Sequence, residues 1–387
     1  MEKTVRTMMD LIAGEVCGKG EGTSPCALTE EAAARLYRLS ASHDLAHLVG
    51  NALLAGNCLP AGEIRAKFEK QVMLAVYRYE QIDHELARLR ETLSAAGIPF
   101  TPLKGAVLRQ YYPEPWMRTS CDIDILIRES DLDAAAQLLT DRLSYRKGGK
   151  GPHDVALYSD SGVHLELHYH LIEKNCVGTA DTVLRSVWKS AAPLPGTTEY
   201  VWSDEMFYYY HVAHMAKHFV IGGCGVRPFL DIWVLNHRLP ENREKRNALL
   251  QKGGLLTFAE RAEELAEVWF GDGEETEITR QMGNYLLIGG VYGTTGNRVT
   301  VQQVKKGGKA RYALSRIWLP YDTLRFYYPS LEGKRLLLPL YEFRRWGKLI
   351  FCGGARRSAK ELRLNSATTE KEQAQTAQML RRLGLDR

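Results

Sequence analysis

The chain has 387 residues, of which 45% are hydrophobic and 25% charged, and its formal net charge is +5. These values are ordinary for a globular protein with room for two or three domains. No apolar run approaches the ~20 residues that span a bilayer, and the N-terminus lacks the apolar core of a signal peptide. Seven scattered cysteines without a C-x-x-C pair argue against a disulfide framework and a structural zinc, so a cytoplasmic protein is expected.

In chain order, Glu2 to Val16 has the pattern of an amphipathic helix and Gly18 to Pro25 that of a loop. Thr29 is a plausible N-cap for the helix that follows it. His43 and His47 stand four apart, but no third ligand is evident, so an ordinary packed or surface pair is favoured. Glu63 to Ala96 is the longest helical pattern, with Phe68, Leu86, Leu89 and Leu93 among its apolar positions, and Gly97 closes it.

Phe100 to Leu103 reads as a short strand, and Lys104-Gly105 leads into a helix from Ala106 to Tyr111. Glycine at such a turn lets a phosphate approach the backbone, and a helix start offers amide donors. The loop from Tyr112 to Ser120 holds two prolines, and its Arg118 and Ser120 could reach a triphosphate or a second substrate. Arg118 is equally readable as a surface charge.

The run Asp122-Ile123-Asp124-Ile125 is the centre of the chain. In a strand, Cys121, Ile123, Ile125 and Ile127 would fill a core while Asp122 and Asp124 share the other face. Two carboxylates side by side repel, which suggests a divalent cation between them, and hard oxygen donors suit magnesium. A solvated strand edge is the alternative. Glu129 to Leu143 reads as a surface helix, and Lys147 to Gly151 as a flexible basic loop. Asp154 to Tyr158 reads as a hairpin partner, with its turn at Ser159 to Gly162.

From Val163 to Leu171 the pattern alternates strictly, with His164, Glu166, His168 and His170 on one face. Glu166 could complete a metal site with Asp122 and Asp124 and act as general base.

A glycine turn opening a helix, then Asp-x-Asp on a strand, then a later strand acid resembles the DNA-polymerase-β-like nucleotidyltransferase superfamily. More narrowly, LKGAVLRQYYPEPWMRTSCDIDILI with VHLELHYHL resembles a bacterial group of uncharacterised nucleotidyltransferases. The resemblance is dense over Phe100 to Leu171 and weaker to about Leu235. It implies that Gly105 lines the nucleotide phosphates, that Asp122 and Asp124 hold metals, and that Glu166 is the third carboxylate. Two Mg²⁺ ions, or Mn²⁺, would then support transfer of a nucleoside monophosphate from a triphosphate such as ATP to a hydroxyl of a small molecule, releasing pyrophosphate. A tRNA- or protein-modifying transferase and an inactive nucleotide-binding module are the alternatives. Ala106 departs from the Ser or Gly usual after the turn glycine, and the Gly105-to-Asp122 spacing is longer than in the simplest members.

Asn175 to Ser186 reads as helix, and Pro193 to Ser203 as a connection between domains. Asp204 to Val220 is a helix with His211, His214 and His218 on one stripe, either a cleft wall or a histidine seam in a core. Lys217 adjoins the stripe. Arg227 and Asp231 bracket Pro228-Phe229-Leu230, as cleft residues or as an internal pair. The candidate nucleotide contacts are thus Lys104, Gly105, Ala106, Arg118, Ser120, Lys217, Arg227 and Asp231.

Leu255 to Trp269 is a further helix. Gly289 to Gly296 lacks the ending of a Walker motif and reads as a mobile linker. From Thr300 to Arg387 there are 19 Lys and Arg against 7 Asp and Glu, a net +12 that leaves −7 for the rest. This basic, aromatic-rich region is packed helix with a solvated basic face or a contact for a polyanion such as RNA, DNA or anionic lipid. Residues from Ala367 on read as helical or frayed.

The expected fold is α+β, with a small mixed sheet as the nucleotidyltransferase core. The expected division is an N-terminal helical segment over 1–96, the catalytic core over 97–192, a helical domain covering the cleft over 193–298, and the basic C-terminal helical region over 299–387.

Overall fold

The computed structural model describes residues 2–19, 27–173, 176–240, 242–351 and 355–386. Most of the expected loop at Gly18 to Pro25 therefore lies outside the described residues.

Four helices come first: α1 (Lys3–Cys17), α2 (Glu30–Ser42), α3 (Ala46–Ala55) and the long α4 (Glu63–Ala95). Thr29 caps α2 by accepting from Ala32 N–H. The chain then enters β1 (Phe100–Pro102), a single helical turn α5 (Gly105–Leu108), and β2 (Asp122–Ile127). After α6 (Leu132–Leu143) come β3 (Arg146–Lys150), β4 (Asp154–Tyr158) and β5 (His164–His168).

These five strands form one mixed sheet in the order β1-β2-β5-β4-β3. β2 runs parallel to β5, and the other neighbours are antiparallel. On one face Ile123, Ile125 and Ile127 of β2 and Leu165 and Leu167 of β5 pack against α4 and α6 through Leu86, Leu89, Leu93 and Leu139. Each such side chain contributes ~1.5–3 kcal/mol, so this face is what holds the sheet. Cys121 departs from the expected core row: it precedes the strand and is exposed.

Lys147 to Gly151 is not the expected loop. Its first four residues belong to β3, an exposed edge strand whose register with β4 shifts between Lys147 and Lys150. Glycine-rich edge strands carry little local signal, because the pairing itself supplies the order.

The helix expected from Asn175 to Ser186 is instead two short ones, α7 (Ala180–Leu184) and α8 (Val187–Ser190), and residue 175 lies outside the described residues. A two-stranded ribbon follows, β6 (Ala192–Pro193) with β7 (Tyr200–Val201). It is tied back to the sheet: Phe100 N–H donates to Thr198 O, and Arg90 forks onto Glu199 at 2.9 and 3.1 Å.

The remaining helices are α9 (Asp204–Ile221), α10 (Arg227–Arg238), α11 (Arg243–Lys252), α12 (Leu256–Phe270), α13 (Glu277–Leu287), α14 (Thr295–Lys306), α15 (Lys309–Ile317), α16 (Tyr321–Tyr327), α17 (Leu338–Phe351), α18 (Ala355–Ala367) and α19 (Glu370–Arg382). Side chains of α1, α3, α9, α10, α12 and the C-terminal Leu380, Leu383 and Leu385 share one continuous core, which Leu126 joins from the second face of the sheet.

The expected mobile linker at Gly289 to Gly296 is a close backbone contact. A Cβ on Gly293, at φ 67°, would fall 2.0 Å from the carbonyl oxygen of Gly222. Only glycine permits that approach.

Candidate active site

The second face of the sheet carries a row of carboxylates and imidazoles. Register pairs Asp122 with His164, Asp124 with Glu166, and Leu126 with His168. Partners in parallel strands point the same way, so three carboxylates and two imidazoles form a compact ladder. The apolar residues between them turn to the opposite core, which is why alternation in both strands is strict.

Asp124 is 3% exposed and is the most heavily bonded of the acids. Its Oδ1 accepts from Lys104 Nζ at 2.8 Å and from His168 Nε2 at 2.7 Å. Burial acts to raise its pKa, but the charge of Lys104 and the His168 hydrogen bond outweigh it and hold the carboxyl far below the usual range. His168 also lies 3.2 Å from Glu166 Oε2. Burial opposes the charge on His168, yet its bonds to the two carboxylates prevail and raise its pKa. That His168 bond in turn lowers Glu166, which therefore stays ionised.

Asp122 goes the other way. Burial, followed by the negative charge of Asp124, pushes its pKa up. An acid in that state gains from any added cation. Two donor sets, Asp122-His164-Glu166 and Asp124-Glu166-His168, bring their ligand atoms within 4.8 Å of one another. The Nε2 of His164 is buried without a hydrogen-bond partner. Carboxylate oxygens with a spare imidazole nitrogen suit a divalent metal, and a carboxylate already bonded at Oδ1 keeps further lone pairs for it. The residues fit the ion.

Lys104 reaches Asp124 from an unusual backbone position, φ 44° and ψ −118°. Gly105 begins α5, a helix of only four residues. A Cβ at Gly105 would lie 3.0 Å from Ser120 Cβ, a tight approach that Ser120 would have to relieve. Ala106 N–H donates to Leu103 O and is thereby satisfied within the turn. Arg109 latches the turn to the following loop: its Nε donates to Gly105 O at 2.9 Å and its Nη2 to Ser120 Oγ at 3.0 Å. Sequence reasoning passed over Arg109; its i+4 spacing from Gly105 within an otherwise apolar stretch is the available signal.

Arg118 and Asp231 form a buried fork, at 2.6 Å from Nε to Oδ1 and 2.9 Å from Nη2 to Oδ2. Tyr112 OH donates to the same carboxylate at 2.7 Å. Arg227 instead meets Asp44 at 2.7 Å and the Thr119 carbonyl at 3.1 Å. The internal pair considered from sequence, Arg227 with Asp231, is thus replaced by two pairs that pin the 112–120 loop to α10 and to the α2–α3 junction. These three residues do not join the carboxylate ladder.

The histidine stripe of α9 divides. His211 is buried against Pro228 O at 3.1 Å, beside Asp231. His214 and His218 are half-buried, with Nε2 atoms 3.1 Å apart. Burial, with Lys104 adding repulsion for His214 and Lys217 then Lys104 for His218, keeps both neutral; His218 falls to about 4. Tyr210, one turn earlier, has its hydroxyl pKa raised by burial and feels the charge of Lys104. Tyr210 and His214 of α9 thus both feel the charge of Lys104. Lys217 pairs with Glu173 at 2.8 Å rather than with the ladder.

Further along the same sheet face, Leu126, Arg128 and His170 floor a cavity of about 500 Å³ walled by Tyr169, Leu184 and Trp188. Leu126 follows Asp124 by two residues and pairs with His168, so the cavity adjoins the His168 end of the ladder.

No curated protein and no solved structure matches the chain. A family model described as uncharacterised nucleotidyltransferase matches residues 29–271. That span covers the sheet, the carboxylate ladder and α9. More than half of the chain falls within it, and the chain belongs to this nucleotidyltransferase family.

Proposed function

We propose that the carboxylate ladder transfers a nucleoside monophosphate from a nucleoside triphosphate to a hydroxyl of a small-molecule acceptor, with release of pyrophosphate. The observation that carries this reading is the register that sets Asp122, Asp124 and Glu166 side by side beneath Lys104.

Asp122, Asp124 and Glu166 would hold one or two Mg²⁺ ions, and the imidazole of His164 in one donor set suits Mn²⁺ as well. Bound there, the metal supplies neutralisation of phosphate charge and a lowered pKa for a coordinated hydroxyl. Glu166, kept ionised, accepts the acceptor's proton. The hydroxyl oxygen bonds to the α-phosphorus, and the electron pair of the breaking α–β bridge leaves on pyrophosphate. Lys104 keeps Asp124 anionic and places a positive charge beside the incoming phosphates. The cavity beyond Leu126 has the volume of a small-molecule site and supports such an acceptor.

Calorimetric titration with each of the four ribonucleoside triphosphates, with Mg²⁺ or Mn²⁺, tests the reading. One triphosphate is expected to bind only with metal, and Asp124→Asn is expected to lose that binding. Absence of binding by all four with either metal overturns it.

A further inference from the structure

α17 is built inside out. Its inward side is polar: buried Glu342 accepts from Leu319 N–H at 2.6 Å and from Arg345 Nε at 2.7 Å. Arg345 Nη2 and Trp346 Nε1 both donate to Ile317 O, at 2.7 and 2.9 Å. These side chains satisfy the backbone groups left open at the end of α15. The outward side is apolar. Leu340 is 63% exposed, Phe343 62% and Phe351 87%, and Leu336 in the preceding turn is 95% exposed.

Within α17 the spacings of three and eight from Phe343 to Leu340 and Phe351 put these residues on one stripe, and Leu336 stands exposed in the turn before it. Exposed Arg344 and Lys348 flank it, and the only acid in α17 is the inward Glu342.

We propose that the outward face of α17 and the turn before it is a peripheral docking surface for an anionic lipid bilayer. Leu336, Leu340, Phe343 and Phe351 enter the acyl boundary while Arg344 and Lys348 meet the headgroups. The charge decides between occupants. An apolar stripe whose exposed charges within α17 are cationic, the nearest exposed acid in sequence, Glu332, being paired with Arg325, complements a surface that is apolar within and anionic at its rim. A second copy docked through the same patch would set Arg344 and Lys348 against their own equivalents. Nucleic acid would match the cations but leave aliphatic Leu336 and Leu340 without a partner, since bases stack on aromatic and guanidinium planes. No described helix is long and apolar enough to cross a membrane, so the contact is one of lying on the surface.

The test is flotation of the full chain with vesicles of phosphatidylcholine alone and with vesicles containing phosphatidylglycerol. Binding is expected only with the anionic vesicles. Leu340→Glu with Phe343→Glu should lower it at least about tenfold, because two apolar anchors are lost. Arg344→Glu with Lys348→Glu should abolish the preference for anionic lipid. Thermal unfolding should change little in either pair, since Leu340 and Lys348 are exposed and Phe343 and Arg344 give up only one ring contact each, to Trp346 and Tyr328; Leu336→Ser, with a smaller loss, serves if a pair unfolds. Three results would each overturn the proposal. They are no binding to anionic vesicles, binding unaffected by both pairs, or a wild-type dimer that Leu340→Glu with Phe343→Glu dissociates without any lipid binding having been present. Lipid partitioning is read without nucleotide, so failure here leaves the transferase reading standing.

Discussion

Lys104 Nζ donates to Asp124 Oδ1 at 2.8 Å from a residue whose own backbone sits at φ 44°. A non-glycine residue there stores ~1–3 kcal/mol of strain, sustained by what the side chain gains. Lys104→Met should reduce turnover by at least about a hundredfold, as loss of a preorganised charge does. Full turnover in that variant would remove Lys104 from the site.

Asp122 and Asp124 should behave oppositely. The pKa of Asp122 is raised in the fold, so its charge is unfavourable there and Asp122→Asn should hold or raise the Tm. Asp124→Asn strips Lys104 and His168 of their shared anion and should lower it. Both should abolish metal-dependent nucleotide binding. Calorimetry beside thermal melts separates the two effects, and a Tm loss with Asp122→Asn would contradict the assignment.

Glu166→Gln should lower turnover far more than triphosphate affinity, because the amide cannot take the acceptor's proton. Equal losses in kcat and in nucleotide Kd would reassign Glu166 to binding alone.

The Arg118–Asp231 fork should govern acid stability. Burial alone would raise the Asp231 pKa, but Arg118 outweighs it and the carboxyl is held below its ordinary value. A depressed acid contributes stability above its unfolded pKa, near ~3.9, and that stability is lost as pH falls toward the folded value. Arg118→Met should cost about 3–5 kcal/mol in urea unfolding at neutral pH, and the loss should shrink as pH falls, because protonation relieves the unpaired Asp231. Adding Asp231→Leu should recover most of the loss, since the buried charge is gone.

Gly105→Ala tests whether the glycine serves packing or phosphate approach. Its new Cβ would crowd Ser120 at 3.0 Å. If packing is its role, adding Ser120→Gly restores nucleotide binding measured by calorimetry; if a phosphate must pass at that position, the double variant stays defective.

The strands were readable because alternation is a local property. Ile123, Ile125 and Ile127 face one way and Asp122 and Asp124 the other, as the pattern required. What alternation does not contain is the partner across the ladder. His168 was visible on the polar face of its strand, but only the register of β2 with β5 sets it 2.7 Å from Asp124. The same holds for Arg118, whose acid lies 113 residues away. β3 has the sequence of a loop because Lys147-Gly148-Gly149-Lys150 has no side-chain pattern, and its order comes from β4. The His211, His214 and His218 stripe was found, but its division between core and site depends on what packs against each turn.

The fork from Arg118 to Asp231 also sets when the 112–120 loop is anchored during synthesis. The loop that delivers Asp122 and Asp124 is anchored on α10, which leaves the ribosome more than a hundred residues later. Domains ordinarily fold as their segments emerge. A nascent chain halted before Asp231 would thus carry the whole five-stranded sheet while the Arg118 guanidinium still lacked its carboxylate.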